Sequence, residues 1–219
     1  MAGGVWAVPQ RRVSKARKEF VSSYLILREV GESLRAILWD AFSRDPILQP
    51  IIQTEDQITF LDPNEAERDQ SLKLSLWLYH ITENGFMRNQ PAGPGGTRTN
   101  GSSTTTQRGT PLPLDLYYLM TPLTVPGDTD LSIMGKTLQV LNDNAIIVVR
   151  DPETRSAEEL RVVSQQMTIQ ELSHLWDALR RPYRLSAAYI VRVTQIDSDR
   201  VVESARVVER GDETRRKAA

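Results

Sequence analysis

The chain has 219 residues, a formal net charge of −1, ordinary hydrophobic (40%) and charged (25%) fractions, and no cysteine. That length favours one domain with a sizeable core, and the near-neutral balance gives no general attraction to nucleic acid or an anionic membrane. The missing cysteine excludes disulfides, thiolate metal sites and cysteine nucleophiles, and no apolar run approaches the ~20 residues of a spanning helix.

Residues 1–20 read as a basic extension. Arg11, Arg12, Lys15, Arg17 and Lys18 precede the first acid, Glu19. The basic residues follow a short apolar patch, the reverse of a secretory signal, so the chain reads as cytoplasmic when made. Such an arm is either solvated or docks on an acidic neighbour, with Arg11 and Arg12 as candidate contacts. The domain is expected over residues 21–208 and a charged tail over 209–219.

Ser22 or Ser23 can cap a helix running to about Phe42. Ile26, Val30, Leu34, Ile37, Leu38 and Ala41 fall three and four apart and form one apolar stripe. Pro46 and Pro50 end it. A short strand is expected over Ile58–Leu61, closed by a turn at Asp62-Pro63-Asn64. Then come the two strongest segments. In Ser71–Asn89, Leu72, Leu74, Leu76 and Leu78 alternate with Lys73, Ser75, Trp77 and Tyr79. In Pro111–Leu123, Leu112, Leu114, Leu116, Tyr118 and Met120 alternate with Pro113, Asp115, Tyr117 and Leu119. A period of two marks strands with one face on a core. Between them, residues 90–110 hold almost no apolar side chain and read as a flexible loop whose only charges are Arg98 and Arg108. Connections of that length are often functional, here as a segment that orders against a partner.

Gly127-Asp128-Thr129-Asp130 reads as a turn and cap before a helix with the stripe Leu131, Met134, Leu138 and Leu141. Ala145–Val149 is a run of β-branched residues, expected as a buried strand. Leu160–Met167 is a further strand. Thr168-Ile169-Gln170-Glu171 is a capping box, followed by a helical face of Leu172, Leu175, Trp176 and Leu179. Ser186–Ile196 alternates as a strand, Asp197-Ser198-Asp199 reads as a hairpin turn, and Arg200–Val208 is expected to return as an edge strand. The sum is an α+β domain with a mixed, largely antiparallel sheet and helices packed on one face.

Little in the chain suits catalysis. Its two histidines are His80, placed by the pattern among core residues of a strand, and His174, on a helix beside Trp176. Neither has an evident partner for acid–base work. No HExxH, CxxC, GxSxG or P-loop ending is present, so no catalytic, cofactor-binding or metal-binding residue is assigned, and no cofactor is expected. Trp77, Tyr79 and Tyr117 lie opposite the leucines of the two long strands. Aromatics on the outer face of a sheet suggest an interface.

Four segments together carry a family resemblance. They are Leu78–Asn84 (LYHITEN) with Arg88-Asn89, Leu114–Thr121 (LDLYYLMT), Gly135–Ile147 (GKTLQVLNDNAII), and Leu172–Trp176 (LSHLW) with Tyr183–Tyr189 (YRLSAAY). Their order and spacing resemble the tail-cap proteins of phage-tail-like contractile injection systems, the terminators of the antifeeding-prophage and virulence-cassette class. The resemblance runs from about Ser22 to Ile196. It departs in the basic arm and at Ala145, where the pattern has proline. It implies a single domain similar to phage tail terminators and a structural, non-enzymatic role. The implied assembly is a homohexameric ring that terminates the inner tube and joins the last sheath layer at its distal end, within a particle assembled in the cytoplasm. The implied partners are the chain itself, the inner tube protein and the sheath protein, with no nucleic acid and no direct membrane insertion. Arg88 and Asn89, at the mouth of the loop, become candidate subunit or tube contacts. The rival reading is an enzymatic or small-molecule-binding α+β domain, which needs a pocket with converging polar groups.

Overall fold

The computed structural model describes residues 24–87, 104–108, 110–125, 127–150, 157–198 and 201–205. The chain order is α1 (Ile26–Arg44), β1 (Ile58–Thr59), α2 (Pro63–Ala66), β2 (Leu74–Glu83), β3 (Thr104–Arg108), β4 (Leu112–Pro122), α3 (Asp128–Asp143), β5 (Ile146–Arg150), β6 (Ala157–Gln165), α4 (Ile169–Ala178), β7 (Ala187–Ile196) and β8 (Val201–Ala205). Six strands form one sheet in the order β1-β2-β4-β7-β6-β5. Only the β1–β2 pair is parallel.

The long helices α1 and α3 cover one face of this sheet. Ile26, Val30, Leu34, Leu38 and Phe42 of α1 pack with Leu74, Leu76, Leu116, Tyr118, Met120 and Val191 from the strands. The stripe read for α1 is the one buried, and the helix continues to Arg44. Its N-cap is Leu25, which offers no side-chain cap, while Ser22 and Ser23 lie outside the described residues. Gly31 lies on the buried face, where an added Cβ would stand 3.2 Å from the Phe60 ring. The glycine therefore lets the helix sit close to the segment after β1.

Several expectations are corrected by the packing. In α3 the buried positions are Asp130, Ile133, Met134, Thr137, Val140 and Leu141, while Leu131 and Leu138 are exposed. The inward face includes two polar residues whose needs are met locally. Thr137 donates to the Ile133 carbonyl at 2.8 Å, and Asp130 accepts from Arg184 at 3.0 Å. In β5 only Ile147 and Val149 are buried. Ile146 and Val148 turn to the face away from α1, and because β5 is the last strand they have a neighbouring strand on one side only. Asp62-Pro63-Asn64 opens a helical turn rather than a plain turn: Asp62 accepts from the Asn64 and Glu65 amides, with proline at the first helical position. Histidines 80 and 174 are both exposed, so His80 is not a core residue.

The largest difference concerns residues beside the long loop. Residues 104–108, expected as loop, form β3, and β8 does not fold back on β7 but pairs with β3. The register runs Leu112↔Ile196 at the end of the β4–β7 pair and resumes at Arg108↔Val201. The β3–β8 ribbon thus carries the central strand pair onward, outside the six-stranded sheet.

Candidate assembly surface

The face of the sheet away from α1 and α3 is built by the other half of each alternation. Strand β2 has an irregularity between Leu78 and His80. A bulge re-aims the side chains next to it, and here it brings Tyr79 and His80 to the same side as Trp77. The rings of Trp77 and Tyr79 lie 6.0 Å apart, Tyr79 and Tyr117 6.2 Å in an edge contact, and His80 and Tyr117 5.2 Å. The three aromatics expected on one face therefore do meet, each half-buried, and His80 joins them at the exposed rim. Edge and tilted contacts at these distances suit the aromatic quadrupole.

This face is concave. The Tyr79 hydroxyl donates to Gln165 Oε1 at 2.9 Å. Tyr79 is on β2 and Gln165 on β6, with β4 and β7 between them. On a flat sheet their backbones would be about 14 Å apart, the limit of two extended side chains and a hydrogen bond, and a sheet that curls toward this side brings them together. Glu171 of α4 also acts on Tyr79. Burial first, then the neighbouring Tyr117, pushes the Tyr79 phenol above its usual pKa. It therefore stays neutral, as a donor, at physiological pH.

Beyond the aromatics the concave face becomes charged. Asp115, which is buried, accepts from Asn84 Nδ2 at 3.1 and 3.2 Å and faces Arg192 Nε at 3.5 Å. Arg192 is in turn the cross-strand partner of Arg161. At the far end of the sheet an ion-pair cluster anchors the segment after α4. Arg184 reaches Glu67 at 2.8 Å, Asp130 at 3.0 Å and the Thr124 carbonyl at 2.7 Å. Arg181 reaches Asn64 at 2.7 Å.

Of the other residues singled out by sequence, Arg108 lies on β3 opposite Val201. Arg11, Arg12, Arg88, Asn89 and Arg98 lie outside the described residues. Sequence reasoning missed Asp115, Asn84, Arg161 and Arg192. Only the strand register brings these together. Among the described residues there is no cluster of potential metal ligands, and no helix is long and apolar enough to cross a membrane.

Two solved structures share this fold. The sheath/tube terminator of the extracellular contractile injection system PVC, in its extended state, aligns over 91% of this chain and 65% of its own, with 19% identity and a TM-score of 0.56. The tube-terminating cap of the anti-feeding prophage aligns over 83% of this chain and 59% of its own, with 17% identity and a TM-score of 0.52. The chain thus spans somewhat less than two thirds of the length of either. No curated protein matches the sequence. The family model described as the Pvc16 N-terminal domain matches residues 29–210, and the chain belongs to that family.

Proposed function

We propose that this chain is a structural cap subunit of a contractile injection particle. Six copies form a ring on the distal end of the inner tube, stop its growth and join it to the last layer of sheath. The observation that carries this reading is the family match over residues 29–210, on a fold shared with two proteins named as tube terminators. The surface is of a suitable kind. A ring contact is heterologous and closes by rotation, so one subunit must present two different patches. The concave aromatic face and the protruding β3–β8 ribbon are two such patches. In this reading the basic extension, with Arg11 and Arg12, together with Arg88, Asn89, Arg98 and, on strand β3, Arg108, contributes further contacts. The subunit acts by geometry and catalyses no reaction, and it is made in the cytoplasm before it joins the particle.

Light scattering on the purified chain, alone and with short tubes of its cognate tube protein, tests the proposal. A hexamer, or a monomer that becomes six-fold only on tube ends, is expected. A monomer that ignores tubes would overturn the cap role and leave the fold standing.

A further inference from the structure

The concave face holds an arrangement that the fold itself does not need. Arg161 on β6 and Arg192 on β7 are direct register partners, so their side chains leave the same face side by side. Like charges directly opposite on neighbouring strands destabilise a sheet. Arg192 is partly compensated, since its Nε faces Asp115 at 3.5 Å, and its side chain is 47% exposed. Arg161 is exposed and has no ion-pair partner among the described residues. The two guanidinium groups line a cleft of about 490 Å³ together with Glu159, Val163, Met87 and Gln195. Around it the apolar side chains are open to solvent. Val163 is 43% exposed, and Ile146 and Val148, which face the same side from β5, are 56% exposed.

We infer that this cleft receives a carboxylate side chain from an adjacent protein subunit, on a segment whose acidic residue is flanked by apolar ones. Charge complementarity selects the acid: two neighbouring guanidinium forks match a carboxylate in two-point geometry. The surroundings select a protein over a nucleic acid. Glu159, two residues from Arg161 on the same strand face, repels any anion and so disfavours a run of phosphates far more than a single acid held between the two guanidinium groups. Ile146, Val148 and Val163 offer nothing to a phosphate backbone but would bury apolar neighbours of an acid. The inference names a contact for the cap proposed above and rests on that reading only for the identity of the partner.

The test has two arms. In the first, full-length protein is titrated with the labelled peptide Ac-VEVEV-amide, its glutamine analogue Ac-VQVQV-amide, inorganic phosphate and a single-stranded DNA oligonucleotide. The acidic peptide should bind. The glutamine analogue, and the acidic peptide against Arg161→Ala, should each bind roughly tenfold more weakly, as expected for a lost charged hydrogen-bond pair. Arg161→Lys should recover part of the loss. Equal binding by Arg161→Ala, no binding of the acidic peptide, or tighter binding of phosphate or DNA would each overturn the inference. In the second arm, Arg161→Glu is scored for occupancy of tube ends by electron microscopy, with its circular dichroism and thermal midpoint compared with wild type. Fold retained and occupancy reduced at least about tenfold is expected; unchanged occupancy would overturn the inference. The first arm needs no tubes, so peptide binding by a protein that never caps a tube would sink the cap reading alone. Normal capping with no peptide binding would sink the cleft alone.

Discussion

The two faces of the six-stranded sheet come from the same alternating strands but carry different side chains. The helix-covered face is largely apolar: Leu74, Leu76, Leu116, Tyr118, Met120 and Val191 meet α1 in a continuous core, with Asp130 and Thr137 of α3 as buried polar exceptions. The concave face has half-buried rings, a buried carboxylate and opposed arginines. A period of two reports only that successive side chains point to opposite sides. Which side is the core depends on what the second half of the alternation contains. Stability should therefore reside in the first face and in the pins that hold it, while the proposed cap role places contacts with other subunits on the second.

The contrast can be broken most severely at Leu116, which is fully buried on the helix side of β4. Leu116→Ala should lower unfolding free energy by about 3 kcal/mol in urea denaturation, through lost transfer energy and the cavity left behind. A smaller loss is expected for Arg184→Ala. It would strip Asp130, whose side chain is 7% exposed, of a charged partner and unfasten the segment before β7 from α2 and α3. About 2 kcal/mol is expected by the same measurement, with part recovered by Arg184→Lys, which keeps charge but not the fork. On the concave face, Tyr79→Phe removes the bond to Gln165 and the weaker contact to Met167 Sδ and should cost about 1 kcal/mol or less. If Tyr79→Phe destabilised as much as Leu116→Ala, the division of labour between the faces would be wrong.

Much of the fold was legible where the pattern is long and local. The α1 stripe from Ile26 to Leu38 and the alternations of β2 and β4 could be read because many positions vote for one period. The α3 stripe was misread because Asp130 and Thr137 face inward. A polar side chain is taken as outward unless its buried partner is known, and the partner of Asp130 is Arg184, far along the chain. The β-branched run of β5 looked buried. Being last in the sheet is a property of topology, and the run itself does not encode it. The β3–β8 pairing joins residues about half the domain apart in sequence, and no local signal announces it. For the site, Trp77, Tyr79 and Tyr117 were visible as the spare half of two alternations. Arg161 and Arg192 were not, since each looks like an ordinary strand charge until the β6–β7 register opposes them.

The smallest predicted effect lies at the start of α4. The capping box read at Thr168–Glu171 is formed: Thr168 Oγ1 accepts from the Glu171 amide at 3.2 Å, and the Thr168 amide donates to Glu171 Oε2 at 2.7 Å. That backbone bond, with the Thr168 hydroxyl next in effect, holds the Glu171 carboxyl below its ordinary pKa of 4.5. A carboxyl depressed on folding adds stability above its ordinary pKa, and that stability is lost as pH falls through the folded value. Glu171→Gln keeps a side chain that can accept the same bond but removes the titration. The variant should melt slightly below wild type at neutral pH, and the gap should close as pH falls below the ordinary carboxyl range and through the depressed folded value. A gap that stayed constant with pH would mean that Glu171 acts through its shape and not its charge. Because α4 lies beside Tyr79 at the concave face, the same variant also asks whether fraying its first turn disturbs that surface. Tube-end occupancy at neutral pH should be unchanged if one turn of helix is all that the charge supports.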